Sequence, residues 1–111
     1  MKQYTTPLLS WTLEGYGDVI KGADAVVVNV KNDRTKYTAS WTKNQIKIDG
    51  DTFSIRINAE DTTDMLGDNR FEMFWRIGDL IYSTVIGTFY MEKSLSNPID
   101  LLFQAEEPSN E

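Results

Sequence analysis

The sequence predicts an all-β domain with one short helix, folded as an antiparallel β-sandwich. Runs of alternating apolar and polar residues recur along the chain, as expected of half-buried strands. Two dipeptides typical of tight turns, Asp49-Gly50 and Gly78-Asp79, each lie between two such runs and indicate β-hairpins. The 111 residues fit a single domain that can bury a core without disulfides or metals.

The first half of the chain contains three predicted strands. Alternation over residues 6–13 indicates a half-buried strand, and glycines predict a loop over 14–22. The valines of 25–31 favour a more buried strand, because β-branched side chains suit a pleated surface. The polar stretch 36–42 predicts a third strand.

The second half contains two predicted hairpins with a helix between them. The first hairpin joins 46–48 to 53–57. Residues 58–66 interrupt the alternation, and Asn58 suits a helix N-cap, so we expect the one short helix there. The second hairpin spans Arg70–Met91.

A tight turn at Gly78-Asp79 sets the pairing of the second hairpin. The expected pairs are Ile77 with Leu80, Trp75 with Tyr82, Met73 with Thr84, and Phe71 with Ile86. These residues form the expected core face. A bulge would exchange the two faces of the second strand but leave apolar residues on both.

The opposite face of this hairpin is also apolar, although charged residues interrupt it. We expect a loop, the carboxyl-terminal tail or another subunit to cover it, because large exposed apolar patches usually mark contacts. Its apolar residues are Phe74, Ile81, Val85, Phe89 and Met91.

The composition excludes several classes of function. The chain has no cysteine and no histidine, which removes thiolate sites, the commonest general base and the commonest transition-metal ligand. A net charge of -6 opposes binding to nucleic acid or to an anionic membrane surface. No apolar run is long enough to span a membrane, and the first residues lack the apolar core of a signal peptide, so we do not expect export by that route.

Acidic residues do not form a recognisable catalytic or metal site. Five aspartates fall in predicted turns or near the helix, where they are common for local reasons, and their spacing matches no EF-hand. We therefore expect no metal, no cofactor and no enzymatic activity. These aspartates are Asp49, Asp51, Asp61, Asp64 and Asp68. The glutamates Glu14, Glu60 and Glu72 show no spacing that supports a glycosidase pair.

The aromatic residues allow a second interpretation. Tryptophan and tyrosine usually supply the cores of small β domains, and most of those here fall on predicted strand faces. Tyr16 and Trp41 are the exceptions, because their neighbours are polar or loop-forming. If the protein binds carbohydrate, these two residues are the candidate glycan-stacking platform.

The carboxyl terminus differs from the rest of the chain. Regular structure is expected to end at Asn97-Pro98, so we divide the chain into a β-sandwich domain at 1–96 and an acidic tail at 97–111. The tail contains apolar residues before its acidic end, and we expect it to be either docked or disordered.

The order of segments resembles small tail and baseplate structural proteins of phages and prophages of Gram-positive bacteria. It is also similar to the N-terminal immunoglobulin-like domain of upper baseplate proteins. The resemblance covers roughly residues 4–95. The segments that carry it are Tyr4-Thr5-Thr6-Pro7, Glu14-Gly15, Ala23-Asp24-Ala25-Val26, Asp49-Gly50, Asn58-Ala59-Glu60-Asp61-Thr62, Phe74-Trp75-Arg76 and Ser83-Thr84.

This resemblance implies an immunoglobulin-like sandwich that acts in assembly without enzymatic activity. The implied partners are other tail or baseplate proteins and further copies of the chain, as a homo-oligomer. The implied location is the bacterial host cytoplasm during assembly and then the virion tail. Combined with the hairpin pattern, it makes Phe74, Ile81, Val85 and Phe89 the expected partner-binding patch. A carbohydrate-binding module that recognises host surface glycans is the alternative.

Overall fold

Within the described residues, seven strands form two antiparallel sheets, an arrangement consistent with the predicted β-sandwich. The structure, a computed structural model, describes residues 1–104, except for the side chains of Val85 and Ile86. The strands are β1 (Leu8–Thr12), β2 (Ala25–Asn32), β3 (Thr38–Thr42), β4 (Lys47–Asp49), β5 (Thr52–Arg56), β6 (Gly67–Ile77) and β7 (Leu80–Met91). The helices are α1 (Gly17–Lys21) and α2 (Ile99–Gln104), and Lys43–Gln45 and Asp61–Asp64 form 3-10 turns.

The smaller sheet has the strand order β1-β5-β4, and the larger sheet has the order β3-β2-β6-β7. Both predicted hairpins are present, because Asp49 pairs with Thr52 and Ile77 pairs with Leu80. The glycine in each turn, Gly50 or Gly78, has a φ of 58°. This left-handed conformation favours glycine and explains why the turn dipeptides were informative.

The core lies between the two sheets. The Trp11 ring of β1 stacks on Phe53 of β5, with centroids 6.1 Å apart, and approaches Phe71 of the larger sheet at 5.5 Å. Aromatic contacts of this kind join the two layers directly. The inward residues of β2 are its alternate valines, which agrees with the predicted period of two. These valines are Val26, Val28 and Val30.

The predicted loop at 14–22 contains a helix, so the sequence interpretation was wrong there. Helix α1 occupies Gly17–Lys21 and buries Ile20 completely. Gly17 in the helix and Gly22 at its C-cap lower the local helix propensity, and tertiary contacts compensate for this. The position of Gly17 against the turn that joins β4 to β5 is one of these contacts.

The predicted helix at 58–66 is shorter than expected. Only the 3-10 turn Asp61–Asp64 forms, and its N-cap is Glu60 instead of Asn58. The Thr62 hydroxyl donates to the Ala59 carbonyl and accepts the Tyr4 amide at 2.7 Å. These side-chain bonds stabilise a tight turn where a regular helix would need backbone bonds. Met65 is fully buried and anchors the turn, as predicted.

A β-bulge alters the second half of the long hairpin. The pairs of Ile77, Trp75 and Met73 are confirmed, but Phe71 lies opposite Gly87 instead of Ile86. Ile86 is the extra residue of the bulge, so the strand beyond it exchanges its two faces. Consequently Met91 is buried in the core.

The carboxyl-terminal region continues beyond the predicted end of regular structure. Helix α2 begins at Ile99, whose amide donates to the Asn97 side chain at 3.0 Å. Asn97-Pro98 therefore starts a helix, and the prediction that it ends regular structure is wrong. The remaining tail, 105–111, lies outside the described residues, so its docking or disorder stays a prediction, as does the domain boundary at 96.

Candidate interaction surface at the end of the long hairpin

The long hairpin is much longer than the sheet that faces it. β6 and β7 contain 11 and 12 residues, whereas β1 and β5 contain five each. At about 3.3 Å per residue, the hairpin strands are roughly 20 Å longer than their counterparts. The longest dimension of the protein is 54 Å. Within the described residues, the strands of the smaller sheet are therefore too short to cover the whole inner face of the hairpin.

We define the hairpin end as residues 77–82. Leu80 and Tyr82 continue the inner, core-facing side of the sheet but are 62% and 42% exposed. Ile81 lies on the outer side of the same strand and is 73% exposed. The hairpin end thus presents apolar side chains on both of its faces, which is the arrangement expected of a contact surface.

Polar contacts hold the turn of the hairpin end in place. The Gly78 amide donates to the Asp24 carboxylate at 2.7 Å, and Arg76 donates to the Gly78 carbonyl at 2.9 Å. Arg76 also lies 3.9 Å from the Asp24 carboxylate. These bonds fix the turn to the start of β2, so a partner would meet a preorganised surface and lose little entropy in ordering it.

An aromatic cluster lies beside the hairpin end and consists of Tyr16, Trp75 and Tyr82. The Trp75 ring stacks on Tyr82 with centroids 5.8 Å apart, and Tyr16 meets Trp75 edge-on at the same distance. Trp75 is buried, while Tyr16 is 45% exposed. The cluster therefore offers two accessible tyrosines on a buried tryptophan base.

The turn between β4 and β5 positions Tyr16. The Asp51 carboxylate accepts the amides of Gly15 and Gly17 at 2.9 and 2.8 Å, one residue on each side of Tyr16. These two backbone hydrogen bonds favour the charged form and hold the pKa of Asp51 below its ordinary value. The backbone of Gly17 also lies so close to Gly50 that a side chain would not fit between them.

The expected partner-binding patch does not lie on a single face. Phe74 is half-buried and Ile81 is exposed, and both are on the outer face. The backbone of Val85 pairs with Glu72, but its side chain lies outside the described part of the structure. Phe89 belongs to the core face, where its ring lies 6.0 Å from Phe71. The bulge causes this difference, so grouping Phe89 on one face with Phe74 and Ile81 was wrong.

The two candidate glycan residues are not a common platform. Trp41 is buried in the core, and its indole N–H donates to the Arg56 carbonyl at 3.2 Å. The sequence predicts exposure of Trp41 because its neighbours Ser40 and Thr42 are polar. Tyr16 is exposed, as expected, but its aromatic neighbour is Trp75.

The structure brings Leu80 and Tyr82 into the candidate surface, although the sequence pattern placed them in the core. Their parity was interpreted correctly, since they share a face with Trp75 and Met73. The length of the hairpin relative to the other predicted strands was the signal that could have identified them. A strand pair more than twice as long as its counterpart must leave part of its inner face uncovered.

A cavity of about 240 Å³ lies beside the bulge on the larger sheet. Lys31 and Arg70 are directly opposite each other in the β2–β6 ladder, and Arg70 forms an ion pair with Asp33 at 2.7 Å. Glu72 supplies a negative charge to the lining of the same cavity. Its mixed charges compensate locally, so the cavity does not indicate one class of ligand.

A second cavity, of about 380 Å³, lies between α2 and the turn at 58–61. Ile99 and Phe103 of the helix line one side, and Glu60 and Asp61 are on the other. The Asp61 carboxylate accepts the Tyr37 hydroxyl at 2.7 Å. This bond, assisted by burial and by the charges of Asp61 and Asp64, raises the pKa of Tyr37 to about 12.

Two of the five aspartates considered for a metal site have local structural roles. Asp51 binds backbone amides and Asp61 binds Tyr37, as turn and structural residues do. Within residues 1–104, no group of three or more acidic side chains is arranged to hold a metal ion. No helix in this part of the chain is both long and apolar enough to cross a membrane.

Compared with protein-family models and with curated proteins, the chain matches none.

Proposed function

We propose that the protein is a non-enzymatic assembly module of a phage or prophage tail or baseplate that acts through protein–protein contact. The segment order described above supports this class and an immunoglobulin-like form of the sandwich. Its partners are then other tail or baseplate proteins and copies of itself. It is present in the bacterial host cytoplasm during assembly and afterwards in the virion tail.

The observation that carries the proposal is the exposure of apolar residues on both faces of the hairpin end. Leu80 and Ile81 project on opposite faces and are each more than half exposed. When a partner fully covers such a side chain, its burial contributes roughly 1.5–3 kcal/mol to the free energy of association. Aromatic residues beside a rigid apolar centre, such as Tyr82, are typical of contact surfaces.

Phe74, Ile81 and Val85 remain proposed partner-contacting residues, since Phe74 and Ile81 share the outer face of the larger sheet and the backbone of Val85 continues the same strand. Leu80 and Tyr82 extend the surface around the turn to the inner face. A partner that covers both faces of the hairpin end would contact the outer-face and the inner-face residues at once. Arg76 and Asp24 lie beside the turn and would form part of a polar rim.

The gene neighbourhood provides the first test. Tail or baseplate genes on both sides would support the proposal, whereas metabolic genes on both sides would contradict it. Co-expression of the chain with each neighbouring gene product then tests direct contact. We expect Leu80→Asp to abolish co-purification and Leu8→Asp to retain it, because Leu8 is an exposed leucine on the other sheet. Equal retention by both variants would contradict contact through the hairpin end.

Carbohydrate binding is the second candidate, and the aromatic cluster is the observation that favours it. Tyr16 and Tyr82 are exposed, each lies 5.8 Å from Trp75, and exposed aromatic rings suit the apolar faces of sugars. Titration with host wall polysaccharide should then change tryptophan fluorescence in wild type and in Tyr90→Ala, but not in Tyr82→Ala. Absence of a response from wild type would remove this candidate.

A further inference from the structure

Among the described strands, β7 is an edge of the larger sheet along most of its length. The strand order places it last, beside β6 only. It contains 12 residues and no charged side chain or proline, and 80–91 is the longest run without Asp, Glu, Lys or Arg in the sequence. Natural edge strands are usually short or protected by charges, proline or bulges, because they can pair with other strands.

The other edges have such protection. β4 has three residues, two of which are Lys47 and Asp49. β1 has five residues and directly follows Pro7. β3 also has five residues and is directly followed by Lys43. β7 therefore has the longest and least protected edge among the described strands, and its one bulge lies beyond residue 85.

The backbone direction along β7 identifies the groups that face outward. A two-residue hairpin turn makes Ile77 and Leu80 a hydrogen-bonded pair, and the pairs then alternate along the ladder. The amides and carbonyls of 81, 83 and 85 therefore point away from β6. Further along the same edge, Glu92 donates to the Met1 carbonyl at 2.7 Å and accepts the Gln3 amide at 2.9 Å. The chain already uses that part of the edge for strand pairing.

We propose that β7 pairs antiparallel with β7 of a second copy around a twofold axis at Ser83, which gives a continuous eight-stranded sheet. Ser83 is the middle residue of the outward-facing set 81, 83 and 85, so this register engages all of them before the bulge. The inference deepens the proposed assembly function by specifying the strand and the register through which two copies of the chain pair.

The charge distribution favours a second copy as the occupant. In a twofold pair about Ser83, residue 83 lies opposite its own counterpart, whereas residues 81 and 82 lie opposite residues 85 and 84 of the second copy, so charged side chains along this segment would bring like charges close together. A protein with a net charge of -6 therefore needs an uncharged strand for self-pairing, and β7 is such a strand. The chain's own segment 105–111, Ala-Glu-Glu-Pro-Ser-Asn-Glu, suits this edge poorly because it contains three glutamates and a proline.

The test uses the purified full-length chain without other proteins. Light scattering across a concentration series should show a dimer. Ser83→Lys should weaken dimerisation at least about tenfold, because two lysines then meet at the axis. Ser40→Lys is the matched control: Ser40 is an exposed serine in the middle of β3, the opposite edge of the same sheet, and this variant should dimerise normally.

Cysteine substitution tests the register independently. The chain has no cysteine, so Ser83→Cys introduces one thiol, and oxidation should link it to its counterpart across the axis. Ser40→Cys should remain unlinked. If Ser83→Lys does not fold, this cross-linking measurement still decides whether β7 pairs with β7 of a second copy.

A monomeric wild type at every concentration would overturn the inference, as would cross-linking of Ser40→Cys but not of Ser83→Cys. Neither result would contradict the assembly function, which depends on contact with the products of neighbouring genes. Conversely, the protein could form the β7 dimer while its gene lies between metabolic genes. That result would support the inference and contradict the assignment to a phage tail.

Discussion

The side-chain amide of Asn32 donates to the Asn69 side-chain oxygen at 2.9 Å in the interior of the larger sheet, and neither residue is exposed. Asn32 also donates to the Leu66 carbonyl, and Asn69 donates to the carbonyls of Met65 and Gly67. The pair therefore satisfies backbone groups of the segment that connects the 3-10 turn to β6. Buried polar groups require such partners.

Asn69→Leu should lower the free energy of unfolding by about 2–4 kcal/mol, because Asn32 and two carbonyls lose their partners in a buried site. Chemical denaturation measures this change. Asn44→Ala, at an exposed position, should change stability by less than about 0.5 kcal/mol. Similar losses for both variants would show that the buried pair has no special role.

Gly17→Ala should destabilise the protein by about 1–3 kcal/mol, because the added Cβ would overlap the Gly50 carbonyl oxygen and displace the β4–β5 turn. The matched control is Gly22→Ala. Its Cβ would lie 3.4 Å from the nearest atom, the Asp18 carbonyl oxygen, so thermal unfolding should show little change. Equal losses of stability in Gly17→Ala and Gly22→Ala would mean that the β4–β5 turn moves freely to accommodate the added Cβ.

Tyr37→Phe should lower the free energy of unfolding by about 1 kcal/mol, since it removes the hydrogen bond to Asp61. The raised pKa gives a second measurement. Because folding raises the pKa of Tyr37 to about 12, its stabilising contribution is present below pH 10 and is lost as pH rises towards 12. Ultraviolet titration of wild type and Tyr37→Phe should assign this late ionisation to Tyr37.

Asp51→Asn should destabilise the protein near neutral pH, because the charged carboxylate accepts the amides of Gly15 and Gly17. Folding lowers the pKa of Asp51, so its contribution is present above the ordinary aspartate pKa and is lost as pH falls through the lowered value. The stability difference between wild type and Asp51→Asn should therefore shrink in acid. Asp79→Asn, in the exposed turn of the long hairpin, serves as the control for a general charge effect.

The sequence predicted the features that depend on local patterns. Strand parity identified the inward valines of β2, and the turn dipeptides located both hairpins through Gly50 and Gly78. Each of these signals depends on a period of two or on one glycine in a left-handed conformation, both of which are visible within a few residues.

The features that it missed depend on distant residues. Helix α1 depends on contacts with Gly50 and Asp51, more than 30 residues away. Trp41 has polar neighbours in its own strand, but the core and the Arg56 carbonyl surround its ring. The exposure of Leu80 depends on the shortness of the opposite sheet. Local patterns do not contain this information.

The bulge at Ile86 gives the two halves of β7 a common core face, although their positions in the sequence differ in parity. With regular pairing, Ile86 would lie opposite Phe71, and Phe89 and Met91 would turn to the outer face. The one unpaired residue therefore keeps Met91 in the core while Ile81 stays on the outer face. Deletion of Ile86 would give a regular ladder in which every remaining side chain keeps its present face, so the strand can lose a residue here without exchanging core and surface.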